Sequence, residues 1–547
     1  MLIDTHANRS ALGAVVGVLT AAVAVGVAQL VAGITGANGS PVVAVQEVLI
    51  DFTPPGLKNF AISAFGPNDK LVLLCGVLVV LALAAALIGG LALRRLDYGL
   101  AGLVVFAVIG IAAAITRPNA SATAVLPTLI GAIAGAGALV LLVRAAQPEG
   151  PRLPARGKAP GAAPQPGPGK APGAAPQPGP GKAPGAAAPQ PGPERRRFLV
   201  TGVAAAGTAG VTALAGRLLS ERTNVTQAQK SLRIPAPASP APPLPAGADL
   251  KIPGLGEFIT PNSAFYRVDT AIVLPEVPPA SWQLRIHGMV SREVNLSFDQ
   301  LIRRPLVENY VTLTCVSNPV AGPYVGNARW LGASLAGLLR EAGVRAGADQ
   351  LLCTSADGFT SGAPLLTAMD GRDAMLAVAM NGSVLPVEHG FPVRMVIPGL
   401  YGYVSACKWI TDIEVTTFAA NSAYWAQRGW DQQAPIKTES RIDVPNGQSS
   451  VRAGRTSVAG VAWAQHKGIE AVEVRVDRGA WQQARLAAVP DIDTWRQWAW
   501  EWDAAPGSHL IEARATDKTG YTQTAQQAPP EPNGATGYPA VSVTVTS

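Results

Sequence analysis

Cysteine is scarce in this chain: Cys75, Cys315, Cys353 and Cys407 are the only four in 547 residues. No Cys-x-x-Cys occurs, which excludes a zinc ribbon and a c-type haem attachment site. Cys75 lies inside an apolar run. A disulfide can join two of the other three but none is demanded, and a leftover thiol asks for a role such as metal ligation. Histidine is as sparse. His6 precedes the first apolar run, and His287, His389, His466 and His509 all lie in the second half, so a bis-His haem within the apolar half is excluded. No haem is expected in this chain. Charged residues are only 14% against 48% hydrophobic, a balance that points to a membrane portion. The net charge of +7 comes largely from helix ends and a linker, with no basic face interleaved with aromatics, so nucleic acid is not an expected partner. No charge sits in the middle of an apolar run. That excludes an ion or proton pathway and leaves an anchor in membrane lipid.

What is present divides the chain. At about 150 residues per domain its length suggests three or four units. Ala11–Gly33, Leu71–Leu93, Tyr98–Thr116 and Ala122–Val143 are apolar runs suited to a hydrocarbon core of ~30 Å. They make residues 1–146 a four-helix membrane region. Pro41–Gly66 is more mixed, contains Pro54-Pro55, and reads as an external or interfacial loop. Arg9, Arg94-Arg95 and Arg144 share the cytoplasmic side by the positive-inside rule, and the loop with Asp51, Lys58, Asp69 and Lys70 lies opposite.

Residues 147–193 are rich in Pro, Gly and Ala. They hold three tandem units beginning Gly157-Lys158, Gly169-Lys170 and Gly181-Lys182, which make an extended, semi-rigid cytoplasmic linker. Glu194-Arg195-Arg196-Arg197-Phe198-Leu199-Val200 then leads into an apolar stretch. Residues 194–219 read as a twin-arginine-like signal-anchor helix or as an ordinary fifth span with a basic flank. Both put the rest of the chain on the extracytoplasmic face of the cytoplasmic membrane. The twin-arginine route also carries folded proteins, as a cofactor loaded in the cytoplasm requires. Residues 220–250, with Pro235–Pro245, form a spacer.

The remainder alternates short apolar runs with Gly/Pro turns, as in a strand-rich α+β domain over 251–419. A helix is expected at Ser334–Ala342, with Leu335, Leu338 and Leu339 on one face. From about Ala420 the pattern is purely β: Val472–Asp477 alternates, as do Trp498, Trp500 and Trp502, so 420–547 reads as a sandwich.

Val311-Thr312-Leu313-Thr314-Cys315 is a strand-like run ending in a thiol, followed by the polar turn Val316-Ser317-Asn318-Pro319. A lone Cys there is either a buried structural residue or a thiolate ligand whose metal takes its other ligands from a cofactor. Gly326-Asn327-Ala328-Arg329-Trp330-Leu331-Gly332 follows. Phe258–Asn262 and Phe265–Val268 precede it; Asn381-Gly382, His389–Arg394, Ile397–Gly399, Tyr401–Tyr403 and Lys408–Ile410 come after. In this order the motifs resemble the sulfite oxidase family of molybdopterin-dependent oxidoreductases, over roughly Ile252–Ser547.

The resemblance implies a molybdenum domain followed by an immunoglobulin-like dimerisation domain, and hence a possible homodimer. It implies one molybdopterin dithiolene holding molybdenum, with Cys315 as the metal ligand. Asn262, Phe265, Tyr266, Ser317, Asn318, His389, Arg394, Ser405 and Lys408 would line the cofactor, and Cys315, Tyr266 and Arg329 would act in catalysis. Each has a plainer reading: Arg394 a surface ion pair, Lys408 a solvated strand residue, His389 a turn residue. The reaction implied is two-electron oxygen-atom transfer on a small oxyanion or oxide, as in sulfite oxidation or S- or N-oxide reduction. A separate electron carrier, a cytochrome or a quinone-linked protein, would complete it. The alternative is a membrane-tethered binding module that kept the fold without the metal. One departure stands out: family members that oxidise sulfite carry an Arg pair shortly after the ligand Cys. Here Pro319-Val320-Ala321-Gly322 offers no cation before Arg329.

Overall fold

The computed structural model describes residues 2–35, 41–53, 69–116, 122–147, 193–222, 225–271, 273–447 and 450–547. The linker repeats and Pro54-Pro55 lie outside the described residues. The chain divides into two units, one running to Ser220 and one from Glu221 onward.

The first unit is helical: α1 (Leu2–Thr35), α2 (Pro41–Phe52), α3 (Asp69–Arg94), α4 (Leu96–Ile115), α5 (Leu126–Ala146) and α6 (Pro193–Arg222). Among the described residues five runs are long and apolar enough to cross a membrane: Ser10–Thr35, Val72–Arg94, Leu96–Ile115, Thr123–Ala146 and Arg196–Gly216. Small residues let α1 approach its neighbours, as packing in lipid favours. A Cβ on Gly17 would collide with the Ala85 carbonyl of α3. On Gly131 of α5 it would fall 2.5 Å from the Ala24 carbonyl, and on Gly33 it would fall 2.6 Å from the Gly216 carbonyl of α6. One expectation fails: the first half of the supposed loop is helix α2. Proline at its first position needs no amide partner, and Val42, Val45 and Leu49 repeat at helical spacing. The Pro pair falls just after its end.

Among the described residues the second unit holds four sheets. One orders its strands β3 (Leu306–Thr314), β4 (Val325–Ser334), β7 (Met375–Met380) and β8 (Ser383–Val384), with β9 (Arg394–Val396) also pairing β7. Another runs β2 (Val294–Ser297), β1 (Gln283–Gly288), β10 (Ile410–Thr416), β5 (Gln350–Ser355), β6 (Thr360–Pro364), with β1 and β10 parallel. The helix expected after β4 is present as α7 (Leu335–Ala342). The Ser334 hydroxyl accepts from the Gly337 N–H, and Gly343 closes it at φ 68°.

The C-terminal strands form two further sheets. β11 (Glu439–Val444), β13 (Gly454–Trp463), β17 (Arg496–Ala504) and β16 (Arg485–Leu486) make one. β12 (Ser450–Arg452), β19 (Ala540–Thr546), β18 (Gly507–Asp517), β14 (Ile469–Val476) and β15 (Gln482–Gln483) make the other. Val458 and Trp498 from the first sheet and Val472, Ile511 and Val543 from the second share one apolar core, as the alternating tryptophans of β17 anticipated. The stretch just after Ala420 is not β: a 3-10 turn at Ala426–Arg428 precedes the first of these strands, with Trp425 edge-on to Tyr424 at 5.1 Å.

The two parts of this unit are knit together. Val461, Trp463 and Trp495 belong to the large core that also holds Leu338 of α7 and Ile413 of β10. The expected spacer is partly built in as well. The Gln229 amide donates to the Leu385 carbonyl at 2.7 Å. Ser239 lies parallel to Val307 of β3, and the Glu308 N–H donates to its carbonyl at 2.8 Å.

Candidate active site

Cys315 follows the last residue of β3. Its N–H donates to the Tyr324 carbonyl at 2.9 Å, so the loop from Cys315 to Tyr324 closes directly on the β3–β4 ladder. Asn318 ties the loop from within: its N–H donates to the Cys315 carbonyl at 3.1 Å, and its Oδ1 accepts from the Tyr324 N–H at 2.8 Å. Glycine is needed at 322, where a Cβ would collide with that same Oδ1. Asn318 Nδ2 is buried without a partner among the described residues.

Strand alternation decides what the thiol faces. Val311 and Leu313 share a face with Phe265, Trp330 and Met380, and Cys315 continues that face. Cys315 is 7% exposed, and burial pushes its thiol pKa up. The Ser317 N–H and hydroxyl and the charge of Lys408 pull it partly back. Tyr266 couples electrostatically to Cys315 and stacks on Phe265 at 5.2 Å; burial holds its hydroxyl protonated.

Arg394, leading β9, lies over Trp330 with its guanidinium carbon 4.9 Å from the ring. It is 5% exposed, and among the described residues no carboxylate pairs with it. Nη1 donates to the His389 carbonyl at 3.1 Å and Nη2 to the Ala406 carbonyl at 3.4 Å, while Nε has no partner among the described residues. Burial lowers its pKa to about 10. The His389 Nε2–H donates to the Asn262 carbonyl at 3.0 Å, which fixes the tautomer and leaves Nδ1 as an acceptor. Burial, with Arg394 and Lys408 adding to it, pushes His389 down to about 4, so the ring is neutral at pH 7. Lys408 Nζ pairs with Asp269 at 2.8 Å and also donates to the Glu388 carbonyl; burial lowers its pKa to about 8.

The structure therefore gathers Cys315, Ser317, Tyr266, Phe265, His389, Asn262, Arg394 and Lys408 around one buried region. Arg394 is no surface ion pair, and Lys408 is not solvated. Two other expected residues, Arg329 and Ser405, are placed differently. Arg329 alternates with Trp330, shares the opposite face with Asn327, and pairs with Glu308 at 3.4 Å. Arg267 pairs with Asp269 at 2.8 Å. The Ser405 hydroxyl turns back on the Leu400 and Tyr401 carbonyls at 2.9 and 3.1 Å.

Some residues that set the geometry carried no assigned role in the sequence reading. Asn381, in the left-handed region at φ 53°, donates from its side chain to Asn262 Oδ1 at 2.8 Å. Its Asn-Gly pair joins β7 to β8, and that dipeptide is a known signal for a tight hairpin. Gln465 donates to the Thr312 carbonyl at 2.8 Å and to Thr314 Oγ1 at 3.1 Å. The Trp495 N–H donates to Thr312 Oγ1 at 2.7 Å, and Arg441 donates to the Gly322 carbonyl at 3.3 Å. The last three come from the C-terminal strands or their loops, and nothing local marks them.

Residues 271–425 match the family described as oxidoreductase molybdopterin binding domain. Sulfite oxidase of Gallus gallus is 32% identical over 289 residues, covering 44% of this chain and 62% of that protein. Nitrate reductase [NADH] of Solanum lycopersicum is 31% identical over 194 residues, covering 30% of this chain and 21% of its own. The solved sulfane dehydrogenase SoxCD of Paracoccus pantotrophus aligns at 23% identity over 53% of this chain and 84% of its own, with a TM-score of 0.46. The chain thus spans less than two thirds of the length of the sulfite oxidase it matches. The matched molybdopterin-binding domain spans most of this site, and the same part of the chain is similar in sequence to sulfite oxidases.

Proposed function

We propose that the chain is a membrane-anchored molybdenum enzyme that moves one oxygen atom, with two electrons, on a small sulfur oxyanion or an S- or N-oxide outside the cytoplasm. The observation that carries this reading is the buried thiol of Cys315 beside Tyr266, in a region whose deepest cation, Arg394, has no carboxylate partner among the described residues. A buried charge needs compensation, and an anionic cofactor supplies it. The residues fit such a group. Cys315 would be the protein ligand of molybdenum; Arg394, Lys408 and the neutral His389 would meet the phosphate and ring of the pterin. Asn262, Phe265, Ser317, Asn318 and the backbone at Ser405 would complete its walls.

When bound, the cofactor supplies the two-electron oxygen-atom chemistry. The chain's own residues do the rest. The Ser317 N–H and hydroxyl oppose the burial that raises the Cys315 thiol pKa, and would stabilise the thiolate on a bound metal. Tyr266, kept protonated by burial, offers a hydrogen bond to an oxyanion at the site. His389 holds the Asn262 backbone and presents an acceptor nitrogen. Both oxidation and reduction stay within the reading, since the relatives include a sulfite oxidase and a nitrate reductase. The missing Arg pair after Cys315 favours substrates that need fewer cationic contacts than sulfite does.

The basic flanks at Arg94-Arg95, Arg144 and Arg195–Arg197 support an extracytoplasmic catalytic unit, and the two C-terminal sheets support an immunoglobulin-like reading with dimer formation. The full chain should be made in a host that produces molybdenum cofactor, and its metal and pterin measured. About one molybdenum per chain, lost or re-ligated in Cys315→Ala, is expected, together with turnover of some member of a panel of sulfur oxyanions and S- and N-oxides. A well-folded wild-type protein without molybdenum would favour the tethered binding module instead.

A further inference from the structure

Glu439 opens β11 and is 5% exposed, yet its Oε1 has no hydrogen-bond partner among the described residues. Asp443, on the same face of the strand, is paired with Arg441 at 2.6 Å. The cation nearest in charge to Glu439, Lys437, is engaged elsewhere: its Nζ donates to Asn533 Oδ1 at 2.9 Å and to the Gly534 carbonyl. Burial holds the Glu439 carboxyl far above its ordinary range, at about 8, with Lys437 and the Trp463 indole pulling it partly back. A buried acid that changes charge near neutral pH is a mark of function more often than of packing.

The strand places this acid behind the candidate site. Glu439 lies directly opposite Trp463 of β13. On one side of that pair Arg441 donates to the Gly322 carbonyl of the Cys315 loop, and on the other Gln465 donates to Thr314 Oγ1 at 3.1 Å. A third tie runs through Tyr401, which is 1% exposed. Its neighbour Gly402 abuts the site: a Cβ there would stand 3.6 Å from the Thr314 carbonyl and 3.7 Å from the Tyr266 hydroxyl. The Tyr401 hydroxyl itself accepts from the Lys437 N–H at 3.5 Å and packs where a Cβ on Gly534 would have to go. Burial, then the charge of Glu439 and, to a smaller degree, that of Cys315 keep this phenol protonated. Its ring thus feels both the acid and the thiol. Trp463 Nε1 is buried without a partner among the described residues, as is Glu439 Oε1. The indole N–H, the phenol and the carboxylate oxygen are the partners that one bridging water requires.

We propose that Glu439 is the residue through which protons pass between the candidate active site and solvent, with the Tyr401 hydroxyl on its inner side and half-exposed Lys437 on its outer side. The role rests on the oxygen-atom transfer proposed above. When water supplies the oxygen atom, that atom goes to the substrate and two electrons leave for the separate carrier. Two protons remain to be removed, and the reducing direction consumes as many. The Glu439 carboxylate takes them one at a time by way of the Tyr401 O–H and releases them to solvent at Lys437. Glu439 touches neither substrate nor cofactor, so it is a positioning residue for protons.

The test uses the full chain from a host that makes molybdenum cofactor. Molybdenum and pterin per chain report the site, and Glu439→Gln, nearly isosteric, should hold as much of both as the wild type. The infrared stretch of the protonated carboxyl reports Glu439 itself. One such band should disappear as pH rises through about 8 in the wild type and be missing from Glu439→Gln. Reoxidation of the dithionite-reduced, loaded protein by ferricyanide needs no substrate and must shed protons. Its rate should rise through the same pH range in the wild type. In Glu439→Gln it should be about 10–100-fold slower and flat with pH. Tyr401→Phe should slow reoxidation while keeping the titrating band, and decides the matter if Glu439→Gln fails to fold. No titrating carboxyl band in the wild type, or reoxidation by a loaded Glu439→Gln protein with the wild-type rate or the wild-type pH profile, would overturn the proposal. A wild type without molybdenum would instead overturn the function proposed above, and the role of Glu439 with it.

Discussion

Arg394 and His389 show how much of the candidate site's electrostatics sits in single residues. The Arg394 guanidinium spends two of its nitrogens on carbonyls and lies over an indole, so neutralising it removes charge more than it removes packing. Arg394→Met should keep the fold while lowering retention of molybdenum and pterin by about 10–100-fold, read as metal and pterin per chain after dialysis. His389 has a pH signature. Its folded pKa of about 4 lies below the ordinary 6.5, so the unfolded chain binds the extra proton first. Its contribution to stability is full above about pH 6.5 and is lost as pH falls towards 4. The shift corresponds to about 3 kcal/mol. Compared with His389→Gln, the wild type should lose melting temperature more steeply between about pH 6.5 and 4; parallel profiles would contradict this. At this scale the sequence was informative wherever chemistry is rare. A lone cysteine ending an apolar run stood out. Asp269, which compensates both Lys408 and Arg267, looked like any other surface carboxylate, because nothing in its neighbours announces a partner 139 residues away.

At the scale of elements, strand β3 is positioned from outside its own sheet. Gln465 and Trp495 hold Thr312 and Thr314 on the face opposite Cys315, and Arg441 holds the loop at Gly322. Gln465→Ala should strip the buried Thr312 carbonyl of one donor and cost about 1–3 kcal/mol, measured by chemical denaturation. Amide exchange at Cys315, whose N–H closes the loop on Tyr324, should quicken with it. Unchanged exchange would mean the loop is held without the C-terminal strands. Periodicity made α7, β14 and β17 legible, because each buries one face against its own neighbours. It failed at α2, where a following Pro pair outweighed about three turns of apolar spacing, and just after Ala420, where tryptophan packing rather than a ladder organises the chain. The cross-strand ties to β3 were out of reach, since hydrogen bonds spanning 151 and 183 residues leave no local pattern.

For the whole molecule, the division at Ser220–Glu221 predicts that the second unit folds without the helices. A chain of residues 225–547 should be soluble and monodisperse in neutral buffer, and should load molybdenum if Cys315 is the ligand. A chain of residues 251–547 should melt lower, because it loses the Ser239 pairing to β3 and the Gln229 bond to Leu385. Equal melting temperatures would show that the segment before residue 251 is a passive stem.

The bond between the Thr312 N–H and the Asp493 carbonyl, at 3.0 Å, has a consequence in time. A chain emerging from the ribosome makes β3 about 180 residues before its clasp. At about 5–20 residues per second, the interval is of the order of ten seconds or more. During it the future ligand strand is paired with β4 but lacks its ties to Gln465, Asp493 and Trp495. A nascent chain is therefore open to cofactor or to oxidant for that interval, and the last quarter of the gene decides when the door shuts.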